Sequence, residues 1–220
     1  MFLKPLDSIT AEDVSRLVDI GAAETVSREF KSIVPWGTQG PRKDLVTHIS
    51  AIANAGGGDI LFGIEENNGV AVEAVGIDVP NLDELQRGIE QSVRDGTDPS
   101  LTGLRFRAIE GFEKGPVLIL RVPRTWTGPH MLTLDKDSRF YIRDTGSKHI
   151  MNTHELRMAF NRADEPAALA RRYREERLAA IRNNDGAAPL NSGAKLVIHV
   201  FPLLGFDYTS RRNVIPGLPD

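Results

Sequence analysis

Three glutamates stand where they could do chemistry. Glu24 and Glu29 share one short segment, ETVSREFK, and Glu66 follows an apolar run, DILFGI, that gives way to Glu65-Glu66-Asn67-Asn68-Gly69. Carboxylates arriving at one place from separate segments suit Mg2+ or Mn2+, which take oxygen ligands. Such an ion activates water and neutralises charge on a scissile phosphate. In an unbroken strand, residues five apart lie on opposite faces, so Glu24 and Glu29 meet only if the chain bends or bulges between them. The plainer reading is three solvated surface carboxylates.

Two groups of cations accompany them. Lys31 ends the first segment, and Arg42 and Lys43 stand at the start of an apolar-striped stretch, Arg42–Asn54, where side-chain charge and free backbone N–H groups would together hold phosphate. Around FYIRDTGSKHIM, Tyr141 lies among Arg143 and Lys148, with His149 and Arg157 nearby. An aromatic ring among cations forms a nucleic-acid surface through stacking and phosphate contact. The alternative is a strand with Phe140 and Ile142 in the core and their neighbours in water.

Other chemistries lack their signatures. There is no G-x-x-x-x-G-K-[ST], and Gly56-Gly57-Gly58 follows a helical stretch and precedes a strand, the reverse of a dinucleotide-binding turn, so ATP is not expected as a cofactor. The five histidines show no paired metal-ligand spacing. Cysteine is absent, which excludes thiolate chemistry and fits a reducing compartment. No apolar run approaches the roughly 20 residues of a membrane helix, and the first residues lack the apolar stretch of a signal peptide. A cytoplasmic location without membrane partners is therefore expected. With a formal charge of −3 the chain has no overall basic footprint, so any nucleic-acid binding must be local.

The elements that would position these groups follow from spacing. Thr10 with Asp13 caps a helix ending at Gly21, and Asn81 with Glu84 caps another. Strands are predicted at Glu24–Lys31, Asp59–Ile64, Val70–Val75, Leu104–Ile109, Val117–Val122, His130–Leu134 and Arg139–Arg143. Asn152 or Thr153 opens a helix to Phe160, and Pro166 opens an Arg- and Glu-rich one to about Arg182. A linker, Asn183–Gly193, and a strand without an obvious partner, Lys195–Phe201, follow. The fold class is α/β (α+β), a mixed sheet flanked by helices, with residues 1–163 as one domain. Residues 164–220 form a second segment, the start of a further domain or an element for homo-oligomer assembly.

ETVSREFK, then AIANAGGGDILFGIEENNG (Ala51–Gly69), then FYIRDTGS (Phe140–Ser147), in that order and spacing, resemble the Schlafen AlbA-type domain. The likeness covers roughly Ala23 to Phe160. It implies a mixed α/β domain that binds nucleic acid, RNA more than DNA. In ribonuclease members of the Schlafens, two glutamates and an aspartate form a metal-dependent site that cleaves RNA, notably transfer RNA. By motif position the first two match Glu24 and Glu29, and the third matches Glu66, here Glu in place of Asp. The resemblance thus implies a metal-dependent endoribonuclease using Glu24, Glu29 and Glu66 with Mg2+ or Mn2+. A non-catalytic DNA- or RNA-binding module of a regulator or defence protein stands beside it as the alternative.

Overall fold

The computed structural model describes residues 2, 4–145, 147–183 and 185. The predicted strand at Lys195–Phe201 lies outside them, as does the linker apart from Asn183 and Asp185. The chain divides into two compact units, Met1–Phe160 and Asn161–Asp220. In chain order the elements are α1 (Ala11–Asp19), β1 (Arg28–Lys31), α2 (Gln39–Asn54), β2 (Gly58–Phe62), β3 (Ile64–Asn67), β4 (Val70–Ala74) and α3 (Leu82–Asp95). Then come β5 (Thr97–Asp98), β6 (Arg105–Phe112), β7 (Gly115–Val122), β8 (Met131–Leu132), β9 (Arg139–Arg143), β10 (Lys148–Ile150) and α4 (Thr153–Arg182). Short 3-10 turns occupy Leu6–Ser8 and Leu134–Lys136. Among the described residues no helix is long and apolar enough to cross a membrane.

The fold is mixed α+β. The main sheet runs β1-β2-β7-β6, with β1 parallel to β2 and the other pairs antiparallel. A second, antiparallel sheet runs β10-β9-β8-β5, and β3 and β4 form a hairpin. Every residue of β2 is buried, because apolar layers cover both sides of it. Ile60 and Phe62 join Leu45, Ile49, Ile52 and Ile89 from α2 and α3, whereas Leu61 joins Val14 and Leu17 from α1. Alternation of side chains along a strand makes this division. Each such large side chain contributes roughly 1.5–3 kcal/mol by leaving water.

Three local outcomes differ from the spacing argument, and two bear on the site. The predicted strand Glu24–Lys31 pairs as a strand only from Arg28. Ahead of it, Thr25 and Arg28 exchange backbone hydrogen bonds across a tight turn (3.0 and 3.1 Å). The run Asp59–Ile64 breaks at Gly63, whose φ of +93° is left-handed and where a Cβ would stand 2.6 Å from Gly76 Cα. Glycine alone takes that conformation without strain. The break sends β3, with Glu65 and Glu66, into its own hairpin. Thirdly, α4 runs through Pro166 in place of two separate helices. One missing backbone hydrogen bond is tolerated where Ala, Arg, Glu and Leu, all strong helix formers, surround it.

Candidate functional site

The ETVSREFK turn is held by a close backbone approach at Gly58. A Cβ there would meet Ser27 O at 2.6 Å, and the next amide, Asp59 N, donates to that oxygen at 3.0 Å. The glycine run therefore seats the turn against β2. Folded back by the turn, Glu24 accepts from the amide of Phe30 at 2.9 Å. Arg143 of β9 then reaches both neighbouring acids. Its Nη2 lies 3.3 Å from Glu24 Oε2, its Nη1 meets Glu29 Oε2, and its Nε donates to Thr25 O at 3.1 Å. Glu29 Oε2 has no hydrogen-bond partner among the described residues. The other oxygen of Glu29, Oε1, faces Lys31 Nζ at 2.8 Å and His48 Nδ1 at 3.4 Å. The guanidinium is 2% exposed and the Glu29 side chain 5%, so these charges survive only because they neutralise one another.

A second layer comes from α2 and β10. Lys148 pairs with Asp44, and His48 Nε2 stands 3.5 Å from Asp44 on the same helix, one turn away. Burial foremost, then the fields of Lys148 and Lys31, push His48 down to about 3 against the pull of Asp44, so the ring is neutral at ordinary pH. Burial also depresses Lys148, with Lys31 and Arg143 adding to it and Asp44 opposing. For Asp44, burial acts upward, but the hydrogen bond from Lys148 and the nearby cations outweigh it and hold the carboxyl below its ordinary range.

Glu66 is exposed at the end of β3, where its carboxylate accepts from Gly69 N. Gly69 O in turn accepts from Glu24 N at 2.6 Å, and a Cβ at Gly69 would lie 3.7 Å from Glu24 Oε2. The β3–β4 turn thus joins Glu66 to the Glu24 end of the network. Glu66 also lines a cleft of about 460 Å3 with Lys31 and Asp44. Among the described residues no three His, Asp or Glu side chains are grouped to hold a metal ion. The oxygens of Glu24 and Glu29 face Arg143, Lys31 and the Phe30 amide. As arranged, these residues do not fit a Mg2+ or Mn2+ ion.

The remaining cations fall elsewhere. Lys43 Nζ stands 3.3 Å from Asp137 Oδ2, which also accepts from Tyr141 Oη at 3.2 Å. Arg139 lies 3.8 Å from Asp137 Oδ1. Arg42 donates through Nε to Ser92 Oγ at 2.7 Å and packs over Trp36 at 5.2 Å. These residues surround the start of α2, where the N-cap Thr38 makes no side-chain cap and the first turn holds no acid. Sequence reasoning brought forward Lys31, Arg143 and Lys148 but missed Asp44 and His48, although their i,i+4 spacing on α2 was a readable signal. It also missed Asn54, which donates to His130 O at 3.0 Å and to Tyr141 O at 2.8 Å and accepts from His130 N at 2.8 Å.

A family model described as "Schlafen, AlbA_2" matches residues 24–152. No curated protein matches the chain. Among solved structures, the DIP2311 protein from Corynebacterium diphtheriae is similar at 18% identity and a TM-score of 0.46, over 69% of this chain and 28% of that one. The N-terminal domain of a protein from Nitrosomonas europaea, named as related to the ATP-dependent DNA helicase RecG, is similar at 18% identity and a TM-score of 0.46. That match spans 66% of this chain and 97% of the other. The chain thus spans under a third of the length of the Corynebacterium protein.

Proposed function

The chain belongs to the Schlafen, AlbA_2 family, and from that premise we propose that it is a nucleic-acid-binding domain whose phosphate contacts centre on the start of α2. The observation that carries the reading is the combination found there. An uncapped helix N-terminus without an acid in its first turn carries Arg42 and Lys43, and the segment that contacts it brings Lys136 from the 3-10 turn before β9 and Arg139 from β9. Gln39, which begins the helix, hydrogen-bonds Asp135, and Lys43 pairs with Asp137, so that loop is docked against the helix start. Free N–H groups at a helix start attract phosphate oxygens, and nearby cations release counterions from the nucleic-acid backbone. RNA, including transfer RNA, is the preferred polymer in this reading.

The Glu24–Glu29–Arg143 network has a supporting part. It ties β1 to β9 and holds Lys31 in place beside the cleft. Metal-dependent cleavage would require Glu24 and Glu29 to exchange Arg143 for an ion, and the reading adopted is binding without cleavage. Fluorescence anisotropy with labelled transfer RNA tests it. Arg42→Ala with Arg139→Ala should weaken binding about tenfold, and unchanged affinity would overturn the assignment. In Mg2+ or Mn2+ the RNA should stay intact with wild type and with Glu29→Gln alike. Cleavage by wild type alone would replace this reading with the endoribonuclease one.

A further inference from the structure

A cavity of about 610 Å3 is walled by Val34, Trp36, Ile77, Val79 and Leu85, and it meets the basic end of α2 only at Trp36, the ring over which Arg42 packs. Its size is that of a ligand pocket. It shares Ser32, Ile33 and Glu65 with the 460 Å3 cleft that holds Lys31, so the two form one groove with an apolar and a polar half. At their junction Ile33 is 69% exposed, a large aliphatic side chain left in water.

Charge decides what kind of partner fits. The groove is lined by Asp44, Glu65, Glu66, Asp78 and Glu84 against Lys31 and Lys114. Internal pairing accounts for part of this: Lys31 with Glu29, Lys114 with Glu65 at 3.7 Å, and Lys148 with Asp44. Glu66, Asp78 and Glu84 have no cation partner among the described residues, so the groove keeps an acidic balance. Such a lining repels a polyphosphate and attracts a cation.

We propose that this groove is a second binding site, for a basic peptide segment of a partner protein that seats one aliphatic or aromatic side chain beside Trp36 and Ile33 and sets flanking Arg or Lys against Asp78, Glu84 and Glu66. An apolar anchor in a pocket supplies affinity, and the surrounding charge sets partner choice and encounter rate.

The test uses the full chain and fluorescein-labelled peptides Gly-Arg-X-Arg-Gly, with X as Leu, Phe, Trp or Ser, and the acidic counterpart Gly-Glu-Leu-Glu-Gly. At least one apolar basic peptide should bind saturably. It should lose about tenfold when X becomes Ser, the scale of burying one apolar side chain. Ile33→Asp and Asp78→Lys, both at exposed positions, should each weaken it while leaving nucleic-acid binding unchanged. Three results would overturn the proposal: no saturable binding of any basic peptide up to about 1 mM, equal binding of the acidic peptide, or displacement of bound peptide by a short single-stranded RNA.

Discussion

Arg143 carries a full charge to a position where almost none of its side chain meets water, and two carboxylates and a backbone carbonyl receive it. Removing one member of such a set leaves the others buried and unmatched, so Arg143→Met should cost about 3–5 kcal/mol in urea unfolding. Adding Glu29→Gln to that variant should recover part of the loss, and equal stability of the single variant and wild type would refute this account of the network. His48 makes a different claim on stability. Its folded-state pKa is depressed, so from about 6.5 down to about 3 the unfolded chain binds a proton that the folded chain does not. The stability His48 contributes is therefore complete above the unfolded value and is lost as pH falls through that window, by at most about 1.4 kcal/mol per pH unit. His130, also lowered by burial, acts in the same direction. His48→Gln should flatten the fall in urea midpoint between about pH 7 and about pH 5. Parallel profiles for variant and wild type would contradict this.

Elements meet at α2, which faces the main sheet on one side and the second sheet on the other. Asn54, at its C-terminal end, holds β9 and the residue that leads into β8 through three hydrogen bonds to backbone groups of Tyr141 and His130. Asn54→Ala would leave buried backbone groups without partners, at roughly 1–3 kcal/mol for each group. The variant should lose several kcal/mol in thermal or urea unfolding, and a loss within about 0.5 kcal/mol, usual for a surface substitution, would contradict this role. Much of the framework is legible because its signals are local. Thr10 and Asp13 do form the capping box, and Asn81 accepts from Glu84 N as its spacing predicts. Asn152 accepts from the amides of His154 and Glu155 at the start of α4. The break at Gly63 is not legible, since Phe-Gly-Ile reads as one apolar run and the close approach that leaves no room for a Cβ comes from the backbone of Gly76, distant in sequence. The bend between Glu24 and Glu29 follows from sequence only as a condition for the two acids to meet. Their shared partner, Arg143, reads in the sequence as a phosphate ligand, because nothing local shows which distant charge a side chain will meet.

Across the whole sequence, 27 Lys and Arg oppose 30 Asp and Glu, so the molecule's net field works against a polyanion. Binding must then come from a local basic surface, which makes it strongly dependent on salt. The start of α2 is the surface proposed for it, and the groove beside Trp36 is lined mainly by acids, so the two would serve partners of opposite charge. The most direct test of the central claim is the slope of log Kd against log salt for a single-stranded RNA, measured with wild type and with Arg42→Ala, Lys136→Asn and Arg139→Ala combined. Asn is chosen at 136 because that residue has φ of 60°, a conformation Asn tolerates. Lys43 is kept so that Asp137 retains its partner. With three phosphate-neutralising cations removed, the slope should become shallower by about 2. An unchanged slope together with unchanged affinity would place the nucleic-acid contact somewhere other than the start of α2.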